Sequence, residues 1–237
     1  MIVVILVTLS MTQLWSQEAG NFRIPLIGDS VPSFTAESTT GTIHFPNDYG
    51  RKWKILLSHP QDWTPVCSTE ILELAYMQSE FDKLNAKIVI VSTDPLETHK
   101  LWVKALEEIR YKDRDPVMIR FPLVEDQNRI IARMYGMIHS STSTTKDVRG
   151  VFIIDPDNIL QAVSFYPMQT GRNIDEIKRS VIALQAAKVG ISATPANWQP
   201  GDDMLIPYRP EATSEKQNMH GEQYYDPAWF IHFKKSE

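Results

Sequence analysis

Lys54-Ile-Leu-Leu-Ser58 runs directly into His59-Pro-Gln-Asp-Trp-Thr64-Pro-Val-Cys67-Ser-Thr-Glu70. The opening apolar run reads as a buried strand. Pro60 and Pro65 then stiffen a turn and shield what it holds. Beyond the turn, Ile71, Leu74, Ala75, Phe81 and Leu84 recur at helical spacing across residues 69–84. Strand, turn and helix in that order place Cys67 at or near the first turn of the helix. Unpaired backbone N–H groups there carry partial positive charge, which stabilises a thiolate, the reactive form of cysteine. Thr64, three residues earlier, can aim its hydroxyl at the sulfur or at an oxygen atom bound beside it. The competing reading is a buried, inert thiol at a helix start. The flanking prolines, Thr64 and His59 weigh against it, because a structural cysteine needs none of them. Residue types alone leave the two readings level.

Outward from this stretch, β-branched runs alternate with helical patterns. Lys87-Ile-Val-Ile-Val-Ser92 predicts a second buried strand, and Thr98 to Glu108 a second helix. Gln127 to Tyr135 looks helical and stops at Gly136. Val151-Phe-Ile-Ile154, Asp155-Pro-Asp-Asn158 and the run from Ile159 to Phe165 predict a β-hairpin. Asn173 to Lys188 predicts a helix ending at Gly190, with Asn173 as its N-cap. The pattern is α/β: a mixed sheet covered by helices. From about residue 191 the texture changes. Prolines 195, 200, 207 and 210 interrupt any long element, and Tyr224, Tyr225, Trp229, Phe230 and Phe233 crowd the tail. This predicts a small irregular appendage whose rings pack on the main domain or on a second subunit. The expected division is a lead-in over 1–21, a main domain over 22–190 and an extension over 191–237.

A single cysteine in 237 residues excludes an internal disulfide framework and a cysteine-cluster metal site. A net charge of −5 gives no global attraction to nucleic acid or anionic membrane. No glycine-rich phosphate loop is present, and no metal, flavin or nucleotide cofactor is called for. Residues 2–9 are apolar except for Thr8, too short to span a bilayer. The run has the length of a signal-peptide core, with Ser16 as a candidate cleavage position. No Lys or Arg precedes it, so translation starting at Met11 is the alternative. The compartment is cytoplasmic on the second reading, and periplasmic or secreted if residues 1–16 are cleaved.

Pro60-x-x-x-Thr64-x-x-Cys67 resembles the PxxxTxxC motif of peroxiredoxins. Ser58-His59-Pro60 and Thr64-Pro65-Val66-Cys67 are similar to the one-cysteine branch of that family. The likeness continues through Val148-Arg149-Gly150-Val151-Phe152-Ile153-Ile154-Asp155, Tyr166-Pro167-Met168-Gln169-Thr170-Gly171-Arg172-Asn173 and Ala193-Thr194-Pro195-Ala196-Asn197-Trp198. It implies a thioredoxin-like fold with a small C-terminal extension domain, and homodimers, often gathered as rings of dimers. It implies a thiol-specific peroxidase that reduces hydrogen peroxide and organic hydroperoxides through a cysteine sulfenic acid, recycled by an external small thiol or a thioredoxin-like protein. Cys67 then resembles the peroxidatic cysteine. Thr64 and the Cys67 amide would hold the peroxide beside Pro60. Arg149 resembles the arginine that holds the thiolate and polarises the O–O bond, which suits a permanently charged group with several donors. Glu70 and Arg172 look like a supporting ion pair, against the alternative of Arg172 as a surface residue at a helix start. His59 reads as a hydrogen-bonded structural histidine rather than a direct participant.

Two departures from relatives matter. The tail lacks the extra cysteines of some archaeal-looking members, so no residue of the chain can resolve the sulfenic acid internally. Asp48-Tyr-Gly-Arg-Lys-Trp53 lacks the serine of the lipase-like motif in mammalian one-cysteine members, so phospholipase activity is not carried over. The competing functions are a redox sensor or chaperone switched by the same cysteine, and an inert thioredoxin-fold interaction module.

Overall fold

The computed structural model describes residues 24–190, 192–206 and 224–236. The candidate signal segment, Pro207 and Pro210 lie outside the described residues. Three parallel strands, β3 (Trp53–Ser58), β4 (Ala86–Ser92) and β5 (Leu123–Glu125), are joined by helices α1 (Pro65–Lys83) and α2 (Leu96–Leu106). Strands β6 (Arg149–Ile154) and β7 (Leu160–Tyr166) add to the other side of β3, each antiparallel to its neighbour. The resulting five-stranded sheet has the order β5-β4-β3-β6-β7. Short strands β1 (Phe34–Ala36) and β2 (Ile43–Phe45) form a separate antiparallel pair. Helices α3 (Ile130–Met134) and α4 (Ile174–Lys188) complete the main body.

Both faces of the sheet are covered, which is why its strands read as unbroken apolar runs rather than alternating ones. Ile55, Leu57, Ile90, Val151 and Ile153 face α1, α2 and α4 through Ile71, Leu74, Phe81, Trp102, Ile177 and Val181. Leu56, Val89, Phe152 and Ile154 face the opposite way, onto Phe34, Phe45, Ile131, Tyr135 and Met137. Strand β3 is buried at every residue and ends at the turn that carries Cys67.

The predicted helix over 69–84 begins four residues early, at Pro65. Proline is tolerated at the first helical position, where no N–H is needed. The second helix is shifted by two residues at both ends. The helix expected over 127–135 shrinks to Ile130–Met134, because Arg129 is left-handed (φ 57°) and the chain enters the helix only after it. There the Asp126 carboxylate accepts from the backbone N–H groups of Ile130, Ile131 and Ala132. Asn173 caps α4 as expected, accepting from the Glu176 N–H at 3.1 Å. The β6–β7 hairpin also stands, with Asn158 left-handed in its turn. Strands β1, β2 and β5 had no sequence signal, being three residues each, too short for a period to register.

The tail is more regular than expected. Strands β8 (Met204–Ile206), β9 (Tyr224–Ala228) and β10 (Ile231–Lys234) form an antiparallel sheet in the order β8-β10-β9. Tyr225 stacks on Phe233 across the hairpin with ring centres 5.0 Å apart. Trp229 and Phe230 sit exposed in its turn. Before this sheet, Trp198 is buried and its carbonyl accepts from Arg179 Nη1 of α4 at 2.9 Å. Among the described residues, no helix is long and apolar enough to cross a membrane.

One buried acid stands out on the approach to β6. Asp147 is fully buried, and neither of its carboxylate oxygens has a hydrogen-bond partner among the described residues. Burial pushes its carboxyl well above the usual range; Asp126 and Asp94 add to this, and Lys146 opposes it. The Lys146 ammonium is instead bonded to Asp94 at 2.8 Å. A raised value means that the fold takes up a proton which the unfolded chain releases near pH ~4. The contribution is fully present below that pH and is lost as pH rises through the folded value. Asp147→Asn removes this component. Its melting temperature is expected to fall less than that of the wild type between about pH 5 and about pH 8. Equal slopes in a thermal-denaturation series would refute the burial of an uncharged acid here.

Candidate active site

The turn between β3 and α1 is built by local backbone preferences. Trp63 adopts a left-handed conformation (φ 58°), costly for a bulky residue and therefore imposed by its surroundings. Thr64 follows in extended conformation as the N-cap of α1, and Pro65 starts the helix. Cys67 is thus the third residue of α1, in the first turn, as the sequence suggested. The sulfur is nearly sealed: the residue is 1% exposed. Pro60 is buried beneath the turn. The Thr64 hydroxyl donates to the Gln61 carbonyl at 2.9 Å rather than to the sulfur, so the expected aim at Cys67 is not the one it takes.

Arg149, the first residue of β6, reaches the sulfur from the neighbouring strand. Its Nη1 lies 3.3 Å from Cys67 Sγ and 2.7 Å from Glu70 Oε2. Its Nε and Nη2 both donate to the Met168 carbonyl, at 3.0 and 2.6 Å. Glu70 lies one helical turn beyond Cys67 and also binds Arg172. Arg172 Nε donates to Oε1 at 2.9 Å, Nη2 to Oε2 at 2.8 Å, and the Arg172 backbone N–H to Oε1 at 2.7 Å. Arg172 Nη1 spans the Ser58 and Gly150 carbonyls. Cys67 and Glu70 from α1, Arg149 from β6 and Arg172 from the segment before α4 meet in one buried cluster. Arg172 is buried, which disposes of its surface reading. Two guanidiniums against one carboxylate leave an excess positive charge beside the sulfur.

Burial alone would raise the Glu70 carboxyl. Arg172 and then Arg149 overcome that penalty and hold it below the usual carboxylate range. Bidentate, fully bonded pairing is the condition under which buried charges are tolerated.

A second buried network braces the turn. His59 Nε2 bonds Asp62 Oδ1 at 2.7 Å, and Asp62 Oδ2 bonds His99 Nδ1 of α2 at 2.6 Å. Burial lowers the pKa of His59, favouring its neutral form against the pull of Asp62. Burial raises that of Asp62, but hydrogen bonds from both histidines outweigh this and keep it low. The Asp62 N–H donates to Asp94, which binds Lys146. His59 is therefore hydrogen-bonded, as read. Asp62, His99 and Asp94 were not singled out from the sequence. Asp62 stood inside the quoted stretch, but nothing marked it as a bridge, and His99 comes from a separate helix with no local signal. The ligand atoms of His59, Asp62 and Asp94 are close enough to hold a metal ion, yet they are engaged with one another, His99 and Lys146.

A thioredoxin-like sheet presenting a helix-start cysteine against a buried arginine defines a thiol-dependent peroxidase, and the comparisons agree. Residues 27–163 match the AhpC/TSA family, and residues 183–221 match the C-terminal domain of 1-Cys peroxiredoxin. The chain belongs to the AhpC/TSA family, in its one-cysteine peroxiredoxin branch. It is 46% identical to a peroxiredoxin of Methanosarcina mazei over 217 residues, which is 90% of this chain and 98% of that one. It is 42% identical to a 1-Cys peroxiredoxin of Dictyostelium discoideum over 79% of this chain and 75% of the relative. Among solved structures, the yeast mitochondrial 1-Cys peroxiredoxin superposes with a TM-score of 0.78 at 34% identity, covering 90% of this chain and all of that one. A cysteine-to-serine mutant of peroxiredoxin 6 from Arenicola marina gives 0.76 at 30% identity, covering 90% and 98%.

Glu70→Gln leaves two buried guanidiniums facing a neutral amide. The variant is expected to lose about 3–5 kcal/mol of stability near neutral pH, read from denaturant midpoints. The native contribution of Glu70 is present above its unfolded value of about 4.3 and is lost as pH falls through the depressed folded value. The variant is therefore expected to lose less of its remaining stability on acidification than the wild type. A midpoint unchanged at neutral pH would contradict the ion-pair account.

Proposed function

We propose that Cys67 is the peroxidatic nucleophile and that Arg149 is its electrostatic partner. The observation that carries this reading is the Arg149 guanidinium 3.3 Å from Sγ, inside a site closed to bulk water. The thiolate attacks the terminal oxygen of a hydroperoxide. An S–O bond forms, the O–O bond breaks, and the departing oxygen takes up a proton to leave as an alcohol or water. Arg149 donates to the sulfur before attack and to the oxygens as negative charge moves onto them. Such a donor already in place pays no reorganisation when the charge shifts. Thr64 and the Cys67 amide line the approach and hold the peroxide over Pro60. Glu70 and Arg172 keep the Arg149 head group in plane, and His59 braces the turn.

The sulfenic acid left on Cys67 requires a thiol from outside, since no other cysteine exists in the chain. A first thiol condenses with it, releasing water and forming a mixed disulfide. A second thiol displaces Cys67 and leaves as the oxidised pair. The yeast mitochondrial relative is described as resolving its thiol through glutathione/thioredoxin systems, and a reductant of that class suits this chain. The assembly is a homodimer, gathered further into rings of dimers. The exposed Trp229 and Phe230 in the β9–β10 turn support a partner surface there.

Cys67→Ser is expected to abolish peroxide turnover while the fold survives. Arg149→Ala is expected to slow it by roughly 10²–10³-fold, the cost of losing one preorganised donor. Stopped-flow mixing with hydrogen peroxide measures both, and residual turnover by the serine variant above a few per cent of wild type would sink the assignment.

Oxidation without reductant gives an independent check. Two sulfurs held in shielded turns would have to leave those turns to reach disulfide geometry. Excess peroxide is therefore expected to leave a monomer band on a non-reducing gel, its mass rising by one and then by two or three oxygens. Early addition of a small thiol restores activity, and late addition does not. A prompt, stoichiometric disulfide-linked dimer would overturn this.

A further inference from the structure

Arg149 is held at two ends. Glu70 and the Met168 carbonyl hold its guanidinium. Its backbone sits at the apex of a three-residue turn, closed by the Gly150 N–H donating back to the Val148 carbonyl at 3.1 Å. Turns of this i-to-i+2 kind are common at strand ends. Here the Ser58 hydroxyl enters the turn from β3. Ser58 Oγ donates to the Val148 carbonyl at 2.6 Å and accepts from the Gly150 N–H at 2.9 Å. One fully buried hydroxyl thus ties together the residues on either side of Arg149.

Position 150 fits this arrangement. A Cβ there would lie 3.0 Å from Ser58 Oγ and 2.9 Å from Phe152 Cε2. The glycine is required for space beside the hydroxyl.

We infer that Ser58 is a positioning residue for peroxide reduction: its hydroxyl staples the Val148–Gly150 turn and so sets the reach of Arg149 to the Cys67 sulfur. The inference rests on Arg149 acting on Cys67 as proposed above. On the β3 side the last paired residues are Leu57 and Val151, so that ladder stops short of Arg149, whose backbone is paired with Tyr166 of β7 on the other side only. The hydroxyl takes over where that ladder ends. Ser58→Ala removes only this link, because the Ser58 carbonyl keeps its bond from Arg172.

The test measures peroxide reduction per reduced thiol in Ser58→Ala, Arg149→Ala, the double variant and a control. The control is Tyr135→Phe, which removes a buried hydroxyl bonded to the Pro32 carbonyl, on the face of the sheet away from Cys67. Both Ser58→Ala and Tyr135→Phe are expected to melt a few degrees lower. Only Ser58→Ala is expected to slow the reaction, by roughly 10- to 100-fold, the scale of an ångström-level misplacement. It is also expected to move the pH–rate profile upward, because less positive charge then faces the sulfur. The charged groups of that cluster are Arg149, Glu70 and Arg172. In the Arg149→Ala background, Ser58→Ala is expected to add little, since the two act through one contact. A rate and profile in Ser58→Ala that match the control overturn the inference, as does full additivity in the double variant. If Arg149→Ala itself leaves the rate unchanged, the assignment of Arg149 fails instead. If Ser58→Ala does not fold, Ser58→Thr, which keeps the hydroxyl, must react like wild type per thiol; a slow, folded threonine variant with its hydroxyl bonds intact by crystallography also overturns the inference.

Discussion

The Glu70 carboxylate lies between two guanidiniums in the protein interior, and the arrangement around Cys67 depends on it. Three ions buried together would be costly if any were left short of partners. Here each carboxylate oxygen accepts from both arginines or from one arginine twice, and the spare arginine donors go to backbone carbonyls. Those carbonyls belong to β3, to β6 and to the segment after β7. The ion cluster is thus also the tie between the strands that meet at the site. Its charge does not cancel, and the remainder points at the sulfur. An anion is favoured there, whether a sulfur or an oxygen carries the charge.

The same tie explains why a helix start suffices to hold a reactive cysteine without a metal ligand or a disulfide partner. The first turn of α1 supplies oriented N–H groups. The His59–Asp62–His99 bridge then pins the turn before it to α2 and, through Asp94, to Lys146. Hydrogen bonds thus hold the site on three sides. The exposed Trp63 and the segment from Pro167 to Gly171 form its outer edge.

The stretch from Lys54 to Glu70 was legible because strand, turn and helix each announce themselves by residue type, and because Cys67 is alone. Arg149, Glu70 and Arg172 were legible only through resemblance, since nothing local says that three charged residues far apart in sequence share one interior. Asp62 and His99 escaped for the same reason: a bridging carboxylate looks like any loop aspartate until both partners are in place. Ser58 was visible but silent, a small polar residue at a strand end, whose importance lies in what stands opposite. The short strands β1, β2 and β5 left no period to read. The tail was misread as irregular because its prolines and aromatics suggested packing without a ladder; Pro227 lies inside β9, and the strands form around it.

Met168 has a consequence of another kind. It holds Arg149 with its carbonyl, an atom that every residue possesses. The grip survives any substitution that preserves the path of the chain, so drift at position 168 costs the site little, whereas drift at Arg149 removes the donor itself. A contact made by the main chain leaves no mark on the residue alphabet. Half of the most important embrace in this site is therefore written in the geometry of a loop, and it is inherited as loop length rather than as a letter.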